Sequence, residues 1–226
     1  MIKIENLSKK YGKKEVLKSI DISFEKGKVY GLVGENGSGK TTLFRCITGL
    51  ERYKGEISSD VIKLKDSLGV LFTDPFFFSK ITGKEYIQLL SNARGETLQD
   101  IEEKNIFDLP LNEFASNYST GMKKKLALLA ILLQENQYYI LDEPFNGIDI
   151  QSNIIVTEII HKLRDLGKTI LMSSHIFSTL SDTCDEIYLL DNGSIIKRVF
   201  KEDFKELEQE MKLTTIGNKI EKLQLK

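Results

Sequence analysis

Apolar and polar residues alternate around Ile2 and Ile4, and again around Ile20, Ile22 and Phe24. That period of two belongs to strands with one buried face, so the chain opens β-rich. Lys9-Lys10-Tyr11-Gly12 reads as a polar turn between them. The unbroken apolar run Val29 to Val33 predicts a further strand, and Thr42 to Leu50 a helix stopping near Gly49. After a turn at Lys54-Gly55, Glu56 to Ser59 and Val61 to Leu64 read as strand-like. Leu68 to Phe72 is apolar enough for a buried strand, ended by Thr73-Asp74-Pro75 because proline cannot continue a ladder. Gly83 to Ala93 has helical spacing with Tyr86, Leu89 and Leu90 on one face. From Arg94 to Asn117 the pattern weakens into short helices and loops around Pro110.

Periodicity returns with a long helix opened by Ser119-Thr120-Gly121-Met122, in which Leu126, Leu129, Ala130 and Leu133 recur. A strand at Tyr138 to Leu141, a helix at Asp149 to Leu166, a strand at Thr169 to Ser173 and a short helix after His175 follow. Such β–α alternation is that of a parallel sheet. Glu186 to Leu190 and Ser194 to Val199, joined through Asp191-Asn192-Gly193, predict a hairpin. In the tail from Phe200, Phe204, Leu207 and Met211 mark an amphipathic helix, and the remainder is polar. No internal repeat and no low-complexity segment interrupts this order.

Composition narrows the class without naming a partner. The 226 residues, 41% of them hydrophobic, suffice for a substantial core. Lys+Arg 32 against Asp+Glu 33 gives a net charge of −1, with no global signature of a nucleic-acid binder. Cys46 and Cys184 lack metal-ligand spacing and read as buried free thiols in a reducing compartment. No apolar run is long enough to span a bilayer, and the N-terminus lacks the apolar segment of a signal peptide. The expectation is a soluble, cytoplasmic chain unless another protein carries it to a membrane.

Candidate chemistry concentrates in two stretches. Gly34-Glu35-Asn36-Gly37-Ser38-Gly39-Lys40-Thr41-Thr42 fits G-x-x-x-x-G-K-T between a strand and a helix. In that context the backbone N–H groups turn inward around a phosphate, and the helix N-terminus adds to the anion site. Lys40 is expected to reach the β- and γ-phosphates, and the Thr41 hydroxyl to ligate Mg²⁺. The second stretch is Asp142-Glu143 at the tip of its strand, where one carboxylate can hold Mg²⁺ through its water shell and the next can polarise an attacking water. Other positions stay open on the residues alone. Tyr11 is a surface tyrosine or a base-stacking platform, and Phe76-Phe77-Phe78 is core or a partner surface. His175 either caps the next helix or serves the site, and His161 reads as a surface residue. Lys123, Lys124 and Lys125 oppose the dipole of their helix, so an anionic neighbour would explain them, although a solvated face is the default.

Taken in order, these motifs make the chain resemble the ATP-binding cassette subunit of ABC transporters over about residues 1 to 200. The resemblance implies an α/β fold: a P-loop NTPase core with a parallel sheet, an N-terminal antiparallel β subdomain, and a helical subdomain inserted at about 76–135, with 201–226 as an amphipathic tail. It implies that Tyr11 stacks on adenine and that Gly34 to Thr42 is the Walker A loop. Asp142 becomes the Walker B acid, Glu143 the catalytic glutamate, Asn146 to Asp149 the D-loop and His175 the switch histidine. Tyr118 to Met122 falls at the family signature, usually Leu-Ser-Gly-Gly-Gln, with only Ser119 and Gly121 matching. These two would meet the γ-phosphate of an opposite subunit, which implies a head-to-tail homodimer or heterodimer binding ATP and Mg²⁺. Thr73 stands where the family usually has a glutamine at the metal, and its shorter hydroxyl would act through a water.

The function so implied is ATP hydrolysis driving a separate membrane-spanning permease from the inner face of the cell membrane. The short cassette and its Tyr-Ser-x-Gly-Met signature favour export. Rival readings are a soluble ABC ATPase, which generally carries a coiled-coil insertion or a second cassette absent here, and a nucleotide-responsive module with little turnover.

Overall fold

The computed structural model describes residues 1–216, so the polar end of the tail lies outside the described residues. Strands β1 (Ile2–Tyr11), β2 (Lys14–Phe24) and β4 (Lys54–Ser59) form an antiparallel sheet in the order β2-β1-β4. A second sheet combines β3 (Val29–Val33), β5 (Leu68–Leu71), β6 (Tyr138–Asp142), β7 (Thr169–Ser173), β8 (Glu186–Asp191) and β9 (Ser194–Phe200). Its order is β5-β6-β7-β3-β8-β9, parallel throughout except for the β8–β9 hairpin. Asn192 (φ 46°) and Gly193 (φ 83°) close that hairpin with two left-handed residues, which is why Asn-Gly stands there.

The apolar runs are continuous because the central strands are covered on both faces. Along β6, Tyr138 and Ile140 enter a core shared with the antiparallel sheet and helix α1 (Lys40–Ile47), while Tyr139 and Leu141 enter the opposite core. That opposite core collects α2 (Gly83–Asn92), α3 (Thr120–Leu132), α4 (Ile150–Asp165), α5 (Phe177–Thr183) and α6 (Phe204–Ile216). In α6, Phe204 and Leu207 are buried as the tail's spacing predicts. The stretch Arg94 to Asn117 is irregular, with a 3-10 turn at Ala115–Asn117. Cys46 and Cys184 are both buried and free, and burial pushes their thiols up to about 11 and about 12.

Three local expectations require correction. Lys9, Lys10 and Tyr11 are not a turn but the end of β1, paired with Leu17, Glu15 and Lys14 of β2, so the turn itself falls at Gly12-Lys13. Val61 to Leu64 is not a strand: Asp60 is pinned by the N-terminal ammonium at 2.6 Å and the Tyr138 hydroxyl at 2.5 Å, and the chain leaves the ladder toward a 3-10 turn at Leu64–Ser67. In α2 the buried apolar side chain is Ile87, with Tyr86 and Leu90 partly covered, whereas Leu89 points outward. At 100° per residue Leu89 lies well round the helix from Ile87, so the apolar face is set by Ile87. Phe76 and Phe78 are 73% and 57% exposed and pair edge to face, leaving only Phe77 packed on the core against Tyr86. His161 lies at the surface, partly covered, its Nε2 3.2 Å from the Asp182 carbonyl.

Ile140 is fully buried in the strand that carries the acid pair. Ile140→Ala is expected to cost about 2–5 kcal/mol of stability through the cavity it leaves, read by urea denaturation; a change within experimental error would contradict this packing.

Candidate functional site

Between β3 and α1 the chain folds into a loop that only glycine permits at several points. Gly37 (φ 86°) and Gly39 (φ 116°) are left-handed, a region side chains resist. A Cβ on Gly34 would sit 2.2 Å from the Leu190 carbonyl oxygen and 2.6 Å from Ser38 Oγ. The loop is held from outside by the β8–β9 turn, where Gly193 N–H donates to the Ser38 carbonyl at 3.1 Å. Within it, the Lys40 ammonium donates to the carbonyls of Gly34 at 2.6 Å and Glu35 at 3.3 Å. Ser38 Oγ is buried without a protein partner. A concave backbone with a folded-back lysine and an unpaired buried hydroxyl fits an anion carrying several oxygens.

The acid pair meets this loop directly. Asp142 is 1% exposed, and its Oδ2 accepts from Thr41 Oγ at 2.7 Å while Oδ1 accepts from Ser173 Oγ at 2.6 Å. Thr73 Oγ lies 3.5 Å from the Asp142 carbonyl oxygen. Hard oxygen donors of this kind, hydroxyl and carboxylate side by side at a phosphate loop, suit Mg²⁺. Glu143 adopts φ 55°, and its N–H donates to Ser173 Oγ at 3.0 Å. Its Oε2 is 2.7 Å from His175 Nδ1 and also accepts from the His175 N–H at 3.3 Å. With the carboxylate ionised, Nδ1 must carry the proton, which leaves Nε2 as acceptor or, in the cation, second donor.

These groups line one cleft of about 720 Å³, a volume in the range of small-molecule sites. The cleft brings together Tyr11, Asn36, Gly37, Gly39, Lys40, Thr41, Thr42, Thr73, Asp142, Glu143 and His175. Tyr11 ends β1 at its mouth, 43% exposed, with the Lys9 ammonium 4.6 Å from the ring centre. Gly34, Glu35 and Ser38 belong to the loop without lining the cleft. Lys14 and Val16 line it too, and no motif in the sequence marks them.

Ser119 and Gly121 do not line the cleft. Ser119 is the exposed N-cap of α3, its Oγ accepting from Met122 N–H at 3.2 Å. Gly121 packs on the turn after the acid pair, where a Cβ would meet the Gly147 carbonyl oxygen at 2.6 Å. The lysines that follow do not form the solvated face taken as default. Lys124 is buried, and Lys125 lies 3.1 Å from Asp149, the N-cap of α4. The N–H and hydroxyl of Ser152, joined by Lys125, hold the Asp149 carboxyl well below the usual carboxylate range.

A family model described as ABC transporter matches residues 17–146, from β2 through the acid pair. The chain belongs to the ABC transporter family. Among ABC relatives, the bacitracin transport ATP-binding protein BcrA of Enterococcus faecalis is 33% identical over 88% of this chain and 69% of its own length. The SkfA peptide export ATP-binding protein SkfE of Bacillus subtilis (strain 168) is 26% identical over 91% and 92%. A solved ATP-binding subunit of an ABC transporter superposes with a TM-score of 0.80 at 26% identity, covering 92% of this chain and 93% of that one. The α/β architecture is therefore that of an ABC ATP-binding subunit. No helix among the described residues is long and apolar enough to cross a membrane.

Because the Leu190 carbonyl oxygen occupies the space a Gly34 side chain would need, Gly34→Ala is expected to displace the loop. ATP affinity measured by calorimetry should fall at least roughly tenfold, the loss of about one 1.4 kcal/mol step; unchanged affinity would show that the cradle is not the binding element.

Proposed function

We propose that this chain is the ATP-hydrolysing subunit of an ABC exporter, working as a head-to-tail dimer on a separate membrane permease. The observation that carries the reading is the convergence of Lys40, the Thr41–Asp142 pair and the Glu143–His175 pair on one cleft. Lys40 exchanges its two loop carbonyls for β- and γ-phosphate oxygens, while the loop N–H groups and the start of α1 hold the rest of the phosphate chain. Thr41 and Asp142, with Thr73 through a water, would hold Mg²⁺. That ion, when bound, neutralises charge on the phosphates. Glu143 accepts the proton of the attacking water, and His175 fixes the rotamer of that carboxylate through its Nδ1–H. Tyr11 offers its exposed ring to the adenine.

Ser119 and Gly121, outside their own cleft, serve the nucleotide of the partner copy or of a related second cassette. The N-terminal N–H groups of α3 supply the anion-binding chemistry there. Residues 76–135 act as the inserted helical subdomain, and 201–226 as a tail appended to the 1–200 cassette. The exposed Phe76 and Phe78, just beyond Thr73, are the contact offered to the permease, which would keep the chain at the cytoplasmic face of the membrane. Export is supported by the similarity to SkfE, a peptide export ATP-binding protein, and by the Tyr-Ser-x-Gly-Met signature.

Glu143→Gln is expected to keep ATP affinity, lower kcat by roughly a hundredfold or more, and accumulate an ATP-bound dimer on size exclusion. Hydrolysis at the wild-type rate would remove Glu143 from the mechanism. The double variant Phe76→Ser/Phe78→Ser should hydrolyse ATP normally as the purified subunit yet lose co-purification with its permease. Retained co-purification would place the contact elsewhere.

A further inference from the structure

Lys124 is a buried charged group beside the acid pair that the mechanism above leaves unused. It sits in the second turn of α3 and is 2% exposed, an unusual position for a lysine. Its ammonium donates to the Glu143 carbonyl at 2.9 Å and to the Asn146 carbonyl at 2.7 Å. Those carbonyls bracket the turn that follows the acid pair, itself closed by Asn146 N–H donating to the Glu143 carbonyl at 3.2 Å. Burial disfavours the cation and draws the Lys124 pKa below its ordinary value, against the opposing fields of Glu143, Asp74 and Asp142. A buried ammonium is tolerated when its donors are filled, and two of its three are filled by this one turn.

Glu143 needs such support. A non-glycine residue at φ 55° is held there by its surroundings and not by its own preference. Its N–H is fixed from one side by Ser173 and its carbonyl from the other by Lys124. With its N–H held, rotation about the N–Cα bond of Glu143 out of φ 55° would move the carboxylate away from His175 and carry the carbonyl off the Lys124 ammonium.

Resting on the hydrolytic reading, we propose that Lys124 is a positioning residue for the reaction, clamping the backbone on both sides of the 143–146 turn so that the Glu143 carboxylate faces the cleft. Its side chain does not line the cleft. Because Lys124 and Ser119 lie on one helix, the clamp also ties the segment proposed to meet the partner's nucleotide to the base of this chain's own site.

The test uses the full chain, with its permease where the pair co-purifies. Lys124→Met removes every donor at similar length, and Lys124→Gln keeps two N–H donors. Lys124→Met is expected to lower kcat roughly tenfold to a hundredfold, the scale for a misplaced catalytic group, with KM and calorimetric ATP affinity within twofold of wild type, roughly the limit of such comparisons. Lys124→Gln should recover part of kcat. Wild-type kcat in Lys124→Met would overturn the inference, as would equal loss of kcat in both variants in step with their Tm. If instead the wild-type chain itself released no phosphate from ATP, the hydrolytic reading would fail first.

Discussion

Much of the site depends on how one buried carboxylate is satisfied. Asp142 has no solvent to lean on, and an ionised carboxylate in that position is costly unless donors surround it. Its donors are Thr41 at the start of α1 and Ser173 at the end of β7, so a single side chain ties the phosphate loop, β6 and β7 together. Ser173 then reuses its oxygen to accept from Glu143 N–H. The group proposed to sit near the metal and the group proposed to take the proton are thus positioned through one hydroxyl.

The same geometry separates the two helix starts proposed to bind phosphate. The loop before α1 is enclosed, braced by the β8–β9 turn and by the carbonyl that crowds Gly34. The start of α3 is exposed, capped by its own serine, and outside the cleft. Each is a helix N-terminus with free N–H groups, yet only the first shares a pocket with the acids. On the proposed reading, the start of α3 reaches a nucleotide only by meeting another copy or a related cassette.

The parts legible in the sequence were those whose chemistry is local. The loop before α1 is written in closely spaced glycines, Gly34, Gly37 and Gly39, because the backbone itself must turn there, and the acid pair is legible because it ends an apolar strand. What escaped was tertiary. Lys124 looks like one of three equivalent lysines until the 143–146 turn is folded over it. Leu89 and Leu90 look equally apolar until Ile87 sets which side of α2 faces inward. Val61 to Leu64 has the composition of a strand, but Asp60, held by the chain's first residue and by Tyr138, directs the backbone away from any partner. Phe76 to Phe78 could be weighed as core or surface, and only the packing of Phe77 on Tyr86 divides the triplet.

Glu143 occupies a backbone region in which glycine would rest without strain, while a side chain there costs about 1–3 kcal/mol. A search for more stable versions of this protein would therefore be drawn toward glycine at 143. Any gain in folding would come at the expense of the carboxylate facing His175. With Glu143 in its proposed role, resistance to heat and chemical competence pull in opposite directions at this residue.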